Sequence, residues 1–228
     1  MSAFEGFWSG IGHQLKCPSG RAGRLTGRVM TVINKEPNRL AIDTLQIEPA
    51  NKVLELGFGP GSAIRAIAAA ATQGRVLGID RSAEMLAQAS RRNRRAIEAG
   101  RVELRLGRFD SLPWPSGTMD KILAVNVVYF FNENADEIRE AWRILRPGGL
   151  MAVYATDRAT MSHWKFSGPD THALYGEAEL HTLILRGGFR AKDISIRRVS
   201  LAFGVRGLLA LVHKGAADGI DIRKSAGD

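Results

Sequence analysis

Three glycines at alternate positions, Gly57, Gly59 and Gly61, follow a carboxylate, Glu55, and lead into a segment from Ser62 to Ala71 that reads as a helix. Glycine lets the backbone approach a ligand closely because no Cβ intervenes. The first amide N–H groups of a helix have no intrahelical acceptor, so they favour a negative or polar group in front of them. The apolar run Val53-Leu54 before Glu55 reads as a strand, and Ser62 is a candidate N-cap. Strand, glycine turn and helix in this order suit the holding of a nucleotide-like ligand. The dinucleotide pattern G-x-G-x-x-G would need a third glycine where Ser62 stands, so the spacing here is a different one, G-x-G-x-G.

A second acid falls 19 residues after Gly61, since Val76-Leu77-Gly78-Ile79-Asp80 is an apolar run that ends in a carboxylate. A carboxylate at a strand end can accept two hydrogen bonds from the cis-diol of a ribose. The plainer alternative for Asp80 is an acid at a helix entry. Arg81 follows it. Met85, early in the next helix, is placed either to lie against a flat base or simply to fill the core. Further on, Gly107-Arg108-Phe109-Asp110-Ser111-Leu112-Pro113-Trp114 follows a third strand, and Asp120 to Asn126 forms a fourth run that ends in an amide. Leu145-Arg146-Pro147-Gly148-Gly149-Leu150 is a turn between a helix and a strand.

These four ordered segments resemble motifs of the class I S-adenosylmethionine-dependent methyltransferases, in the type 11 small-molecule branch. The resemblance covers about residues 50–156, with a weaker match over 176–213. It implies S-adenosylmethionine as cofactor, S-adenosylhomocysteine as product, and methyl transfer to a small-molecule acceptor by in-line displacement. The cofactor residues it points to are Glu55, Gly57, Phe58, Gly59, Gly61, Asp80, Arg81, Met85, Phe109, Asp110 and Asn126. Asn126 would lie near the methionine amino group. The family has an acid where this chain has Arg108, which cannot accept a hydrogen bond. Reading of the adenine then falls either to Asp110 or to the backbone at Phe109.

The sulfonium is an activated leaving group, so positioning of the acceptor is the main demand, and a base is needed only where the acceptor keeps its proton. Acceptor-side candidates are Tyr129, Phe130 and Phe131 after the fourth strand, His163, Trp164 and Phe166 after the fifth, and Phe7, Trp8 and His13 near the start. His163 is the candidate base, by its loop position and usable pKa, with a solvated loop histidine as the alternative. Tyr129 would orient an acceptor or pack. The aromatic set suggests a flat or apolar acceptor.

The elements that must position these residues alternate. Strands are expected at 53–56, 76–80, 102–106, 121–128, 150–155, 190–200 and 206–213, and helices at 62–71, 83–98, 132–145 and 177–186. Alternation of this kind predicts a parallel sheet with crossover helices. The fold expected is α/β: a Rossmann-like, mostly parallel seven-stranded sheet with helices on both faces. Residues 1–50 precede it as a helical segment, with helices over 21–34 and from Pro37, and methyltransferases often use such a segment as a lid. Leu25, Val29, Val32 and Ile33 recur at helical spacing and are expected to face a core. Residues 51–214 form the expected methyltransferase domain, and 215–228 a frayed tail.

Composition narrows the partners. The chain has 228 residues, 45% of them apolar, enough for one full core. Cys17 is the only cysteine, which excludes an intramolecular disulfide and a cysteine metal cluster. No metal is expected. Residues 1–10 lack a signal-peptide pattern and no apolar run approaches ~20 residues, so a cytoplasmic location is expected. The net charge of +9 concentrates in Arg81, Arg91, Arg92, Arg94, Arg95 and Arg101, and in Arg186, Arg190, Arg197 and Arg198. A solvated helix face is the plain reading; an anionic membrane surface or phosphorylated substrate is the alternative. The cluster has no interleaved aromatics to stack on bases, and Asn126-Val127-Val128-Tyr129 lacks the prolines of amino-methylating DNA enzymes, so nucleic acid is not expected. A phospholipid head-group acceptor, a protein that binds the cofactor without turnover, and a homodimer remain open.

Overall fold

A computed structural model describes residues 20–164 and 172–215 of the chain. Phe4, Phe7, Trp8, His13, Cys17, Phe166 and the tail from 216 lie outside the described residues.

The described chain opens with two helices, α1 (Gly20–Ile33) and α2 (Lys35–Leu45). The sheet is then built from β1 (Lys52–Leu56), β2 (Arg75–Asp80), β3 (Val102–Leu106), β4 (Met119–Val125), β5 (Leu145–Thr156), β6 (Ile194–Ser200) and β7 (Arg206–His213). Between the strands lie α3 (Ser62–Ala70), α4 (Ala83–Arg92), α5 (Arg94–Glu98), α6 (Asp136–Ile144), α7 (Arg158–Met161) and α8 (Glu177–Arg186). The spatial order is β3-β2-β1-β4-β5-β7-β6, and β7 runs antiparallel to both its neighbours. The expected mostly parallel seven-stranded sheet is what forms. Its order reverses between β1 and β4, the point beyond whose carboxyl ends an open α/β sheet takes its ligands.

Alternation along the central strands feeds two cores. Val53, Val76, Leu123 and Ala152 meet Leu45 of α2, Ile64 and Ile67 of α3, and Met85 and Ala89 of α4 on one face. Leu54, Leu77, Ile122 and Met151 meet Ile138 and Ile144 of α6 and Leu180 and Ile184 of α8 on the other. Each fully buried aliphatic side chain of this kind stabilises the fold by about 1.5–3 kcal/mol.

Several boundaries differ from the expected ones. The helix expected over 83–98 breaks at Asn93, whose buried amide Nδ2 donates to Gly61 O (3.0 Å) and Ala89 O (2.9 Å). The helix expected from Asn132 starts at Asp136, because Ala135 adopts φ 60°. The fourth strand stops at Val125 rather than Val128, since Asn126 turns the chain with φ 52°. The segment Arg146–Gly149 is the start of β5 rather than a free turn, tied by Gly148 N–H to Lys214 O (2.7 Å). The sixth strand begins at Ile194, after a 3-10 turn at Ala191–Asp193.

Helix α1 departs furthest from expectation. Val29, Val32 and Ile33 are 47%, 75% and 57% exposed, so the apolar stripe that periodicity assigned to a core faces outward. Among the described residues no helix is long and apolar enough to cross a membrane.

Candidate functional site

The turn after β1 is made by three glycines with positive φ: Gly57 (70°), Gly59 (50°) and Gly61 (76°). They do different things. A Cβ on Gly57 would lie 2.5 Å from Val127 Cγ2, and one on Gly61 2.7 Å from Ala89 Cβ, so both permit close packing inside the protein. A Cβ on Gly59 would meet only Met30 Cε, at 3.5 Å, so this is the glycine whose backbone faces a cleft. Gly61 is the residue before α3 and does not line that cleft; its expected ligand contact is replaced by a packing role between α3 and α4.

The cleft lies across the carboxyl ends of β1, β2 and β4. Glu55, Gly57, Phe58 and Gly59 line it from β1 and the turn, and Asp80, Arg81 and Met85 from β2 and α4. Phe109 and Asn126 complete the far side. Asp80 is 8% exposed and holds the turn in place: Oδ2 accepts Gly59 N–H (2.8 Å) and Oδ1 accepts Ser82 N–H (2.9 Å). Each oxygen keeps a further lone pair for a ligand. Burial raises its pKa, against those backbone hydrogen bonds and the nearby Arg81 charge.

Glu55 is the other carboxylate. It is 3% exposed, and the backbone N–H of Ile64 in the first turn of α3 lies close enough to oppose the effect of burial on it. Ser62, the expected N-cap, is already the first helical residue of α3, and Gly61 stands at the cap position. Oε2 is buried without a hydrogen-bond partner. Burial, and then the neighbouring Asp80 carboxylate, push the Glu55 carboxyl well above its ordinary range. An unpaired buried carboxylate oxygen next to a second acid has the electrostatics of a site for a cation or a donor group.

The remaining wall is aromatic and amide. The Arg81 guanidinium sits 4.7 Å above the centroid of Phe109 and is paired with Glu137 (3.2 Å), a 2%-exposed acid that also accepts Asn132 N–H. Asp110 is not in the cleft. Its carboxylate is taken up by Arg108 (Nε to Oδ1, 2.9 Å), which holds it below the usual carboxylate range, and neither residue lines the cleft. Of the two adenine readers considered, Phe109 is the one that lines the cleft.

Asn126 connects the cleft to a second space. Its Oδ1 accepts the Tyr129 hydroxyl (2.8 Å) and Thr156 N–H (3.2 Å), and its Nδ2 donates to Asn34 Oδ1 of the α1–α2 junction (2.8 Å). On the far side of Asn126 and Thr156 lies a cavity of about 820 Å³. Its wall is mostly apolar, from Val32, Ile33, Trp164, Leu201, Phe203 and Val205, with Lys35, Glu36 and Arg39 at its rim.

Two expected catalytic residues stand elsewhere. Tyr129 is 6% exposed and its hydroxyl is spent on Asn126 and Thr156; burial raises its pKa far beyond neutrality. It braces Asn126 and lines neither space. His163 is exposed, with Nδ1 against Ala159 O (2.8 Å) at the end of α7, and it does not line the cavity. Trp164, its neighbour, does.

Sequence reasoning did not identify Met30 and Asn34, which lean over the cleft, or the apolar cavity itself. Val32 and Ile33, expected to face a core, instead line this cavity.

Residues 54–153 match the family described as "Methyltransferase domain". The chain is 31% identical over 129 residues to the uncharacterized methyltransferase YdaC of Bacillus subtilis, covering 57% of this chain and 69% of that protein. It is 29% identical over 174 residues to 24-methylenesterol C-methyltransferase 2 of Oryza sativa, covering 76% of this chain but 45% of the rice protein. In fold it is similar to an S-adenosylmethionine-dependent methyltransferase from Aquifex aeolicus, with TM-score 0.60 and 19% identity over 77% of this chain and 89% of that one.

Proposed function

Because this chain belongs to the class I S-adenosylmethionine-dependent methyltransferases, with S-adenosylmethionine as cofactor, we propose that it methylates a small, largely apolar acceptor held in the cavity beyond Asn126. The observation that carries this reading is the shared wall: Asn126 lines both the glycine-turn cleft and the apolar cavity. A group delivered at that residue from one side meets a molecule held on the other.

The cleft suits the cofactor chemically. Oε2 of Glu55 is an acceptor lacking a donor, which the cofactor's ammonium would supply. Asp80 keeps lone pairs for ribose hydroxyls, Gly59 offers bare backbone, and Met85 and Phe109 offer apolar and aromatic surface for the base. In size the cleft is closed down. It encloses about 50 Å³, against roughly 300–1,000 Å³ for typical small-molecule sites. Met30 and Asn34 occupy its mouth, so cofactor entry moves α1 and releases the Asn34–Asn126 hydrogen bond. The segment before β1 thereby acts as the lid, and the catalytic unit is residues 51–214.

When bound, the cofactor supplies a methyl group on a sulfonium whose leaving group is a neutral thioether. The protein's own task is alignment. Tyr129 and Thr156 fix the Asn126 side chain at the junction, and the apolar wall offers a seat for the acceptor, so effective concentration does the work. Neither His163 nor Tyr129 is placed to take a proton there. Glu36, at the cavity's lining, is the carboxylate nearest to an acceptor held there.

The test is methyl transfer from radiolabelled S-adenosylmethionine to separate pools of apolar metabolites, phosphorylated head groups and RNA. Label in a low-mass, organic-extractable product supports the proposal. Label confined to phosphorylated head groups or RNA overturns it, as does tight cofactor binding with no transfer to any pool.

A further inference from the structure

Beside the same helices, on the side away from the cleft's lining, six arginines converge. Arg65 of α3, Arg91 and Arg92 of α4, Arg94 and Arg95 of α5, and Arg101 before β3 line one concavity of about 440 Å³. Its floor is small, with Ala68, Ala69 and Ala96 leaving room between the guanidinium groups. The break at Asn93 brings this about. The helix breaks at Asn93 (φ −106°, ψ 14°), so Arg94 and Arg95 enter the hollow from a second helix, α5.

The charge is barely compensated. Arg94 reaches Glu98 at 3.9 Å, and Arg101 donates from Nη1 to Ala68 O (3.0 Å). Arg65, Arg91, Arg92 and Arg95 form no ion pair among the described residues, although arginines elsewhere, such as Arg75, Arg81, Arg108, Arg143 and Arg158, each have an acid within 3.4 Å. Like charges gathered this way repel at short range, where solvent ions screen least. Stabilisation of a helix C-terminus accounts for Arg91, Arg92 and Arg95, and for Arg101 through its bond to Ala68 O at the end of α3, but not for Arg65 or for the gathering of all six in one hollow.

We propose that this arginine-lined concavity is a binding site for a compact, multiply phosphorylated small anion. Guanidinium groups present planar forks that match phosphate oxygens. The surface is a hollow rather than a plane, so it fits a discrete ligand better than a bilayer. No aromatic lines it, so there is nothing on which nucleic-acid bases could stack. The hollow lies behind the glycine turn: Asn93, which lines it, donates to Gly61 O (3.0 Å), yet it shares no lining residue with the cleft at Gly59 and Asp80. The inference therefore does not depend on which acceptor is methylated.

Calorimetric titration of the full chain with inorganic tripolyphosphate tests it. Saturable binding is expected, weakened about tenfold or more in R91E/R95E and by a smaller factor in R91K/R95K, which keeps charge but loses the forks. The same variants should bind S-adenosylhomocysteine like the parent, which establishes that they fold. Absence of saturable binding by the folded parent, or equal binding by folded R91E/R95E, overturns the proposal. So does binding of a single-stranded RNA or of anionic phosphatidylserine vesicles by a protein that does not take up tripolyphosphate.

Discussion

Replacing Glu55 by Gln should make the ligand-free protein more stable and a worse cofactor binder. Gln keeps an oxygen facing the Ile64 N–H, while the buried, partnerless Oε2 becomes part of a neutral amide beside Asp80. An unsatisfied buried polar group costs about 1–3 kcal/mol, more when charged. In a chain of this length each kcal/mol moves Tm by about 2–4 °C, so the gain is about 2–12 °C. Its pH dependence is fixed in sign. The folded-state pKa of Glu55 is raised above its ordinary 4.5, so the stability linked to this group is fully present below that value and is lost as pH rises through the folded pKa. Wild type and variant should therefore melt together in acid and separate as pH climbs above 4.5, with the variant higher. Differential scanning calorimetry of the ligand-free proteins from pH 4 upward measures this, and titration with S-adenosylhomocysteine should show affinity reduced about tenfold or more, the loss of a charge-assisted contact. A variant that melts below wild type at pH 8, or binds the ligand as tightly, would refute the reasoning.

Four further substitutions separate the roles assigned around the cleft and the cavity. Asp80→Asn turns a donor toward Gly59 or Ser82 N–H, costing about 1–3 kcal/mol in thermal unfolding and at least about tenfold in S-adenosylhomocysteine affinity; unchanged calorimetry in both would count against it. Gly61→Ala should lower Tm through its 76° φ and the 2.7 Å approach to Ala89, by about 1–3 kcal/mol, whereas Gly59→Ala, with only Met30 near, should lose more in ligand affinity than in stability. Val205→Asp, in the apolar cavity wall, should leave cofactor affinity intact and abolish label transfer to apolar acceptors; retained transfer would remove the cavity from the account.

What could be read beforehand was local in the chain. Glycines at 57, 59 and 61 and an acid at 80 announce a turn and a strand end through backbone chemistry alone, and the structure brings Glu55, Gly59 and Asp80 to one cleft. The seven strands follow from apolar runs of the right length. What could not be read depends on distant neighbours. Asp110 looks available until Arg108 is seen to consume it. His163 stands in the expected loop, but α7 turns its ring back onto Ala159. The apolar cavity joins Val32 with Val205, and the outward stripe of α1 makes sense only with that second wall in place.

The most direct measurement is a crystal structure of the protein with S-adenosylhomocysteine. The account predicts ribose hydroxyls on Asp80, the amino group at Glu55, α1 displaced at Met30 and Asn34, and the sulfur beside Asn126 facing the cavity walled by Trp164 and Val205. A ligand seated with its sulfur directed away from that cavity, or with its ribose remote from Asp80, would contradict it.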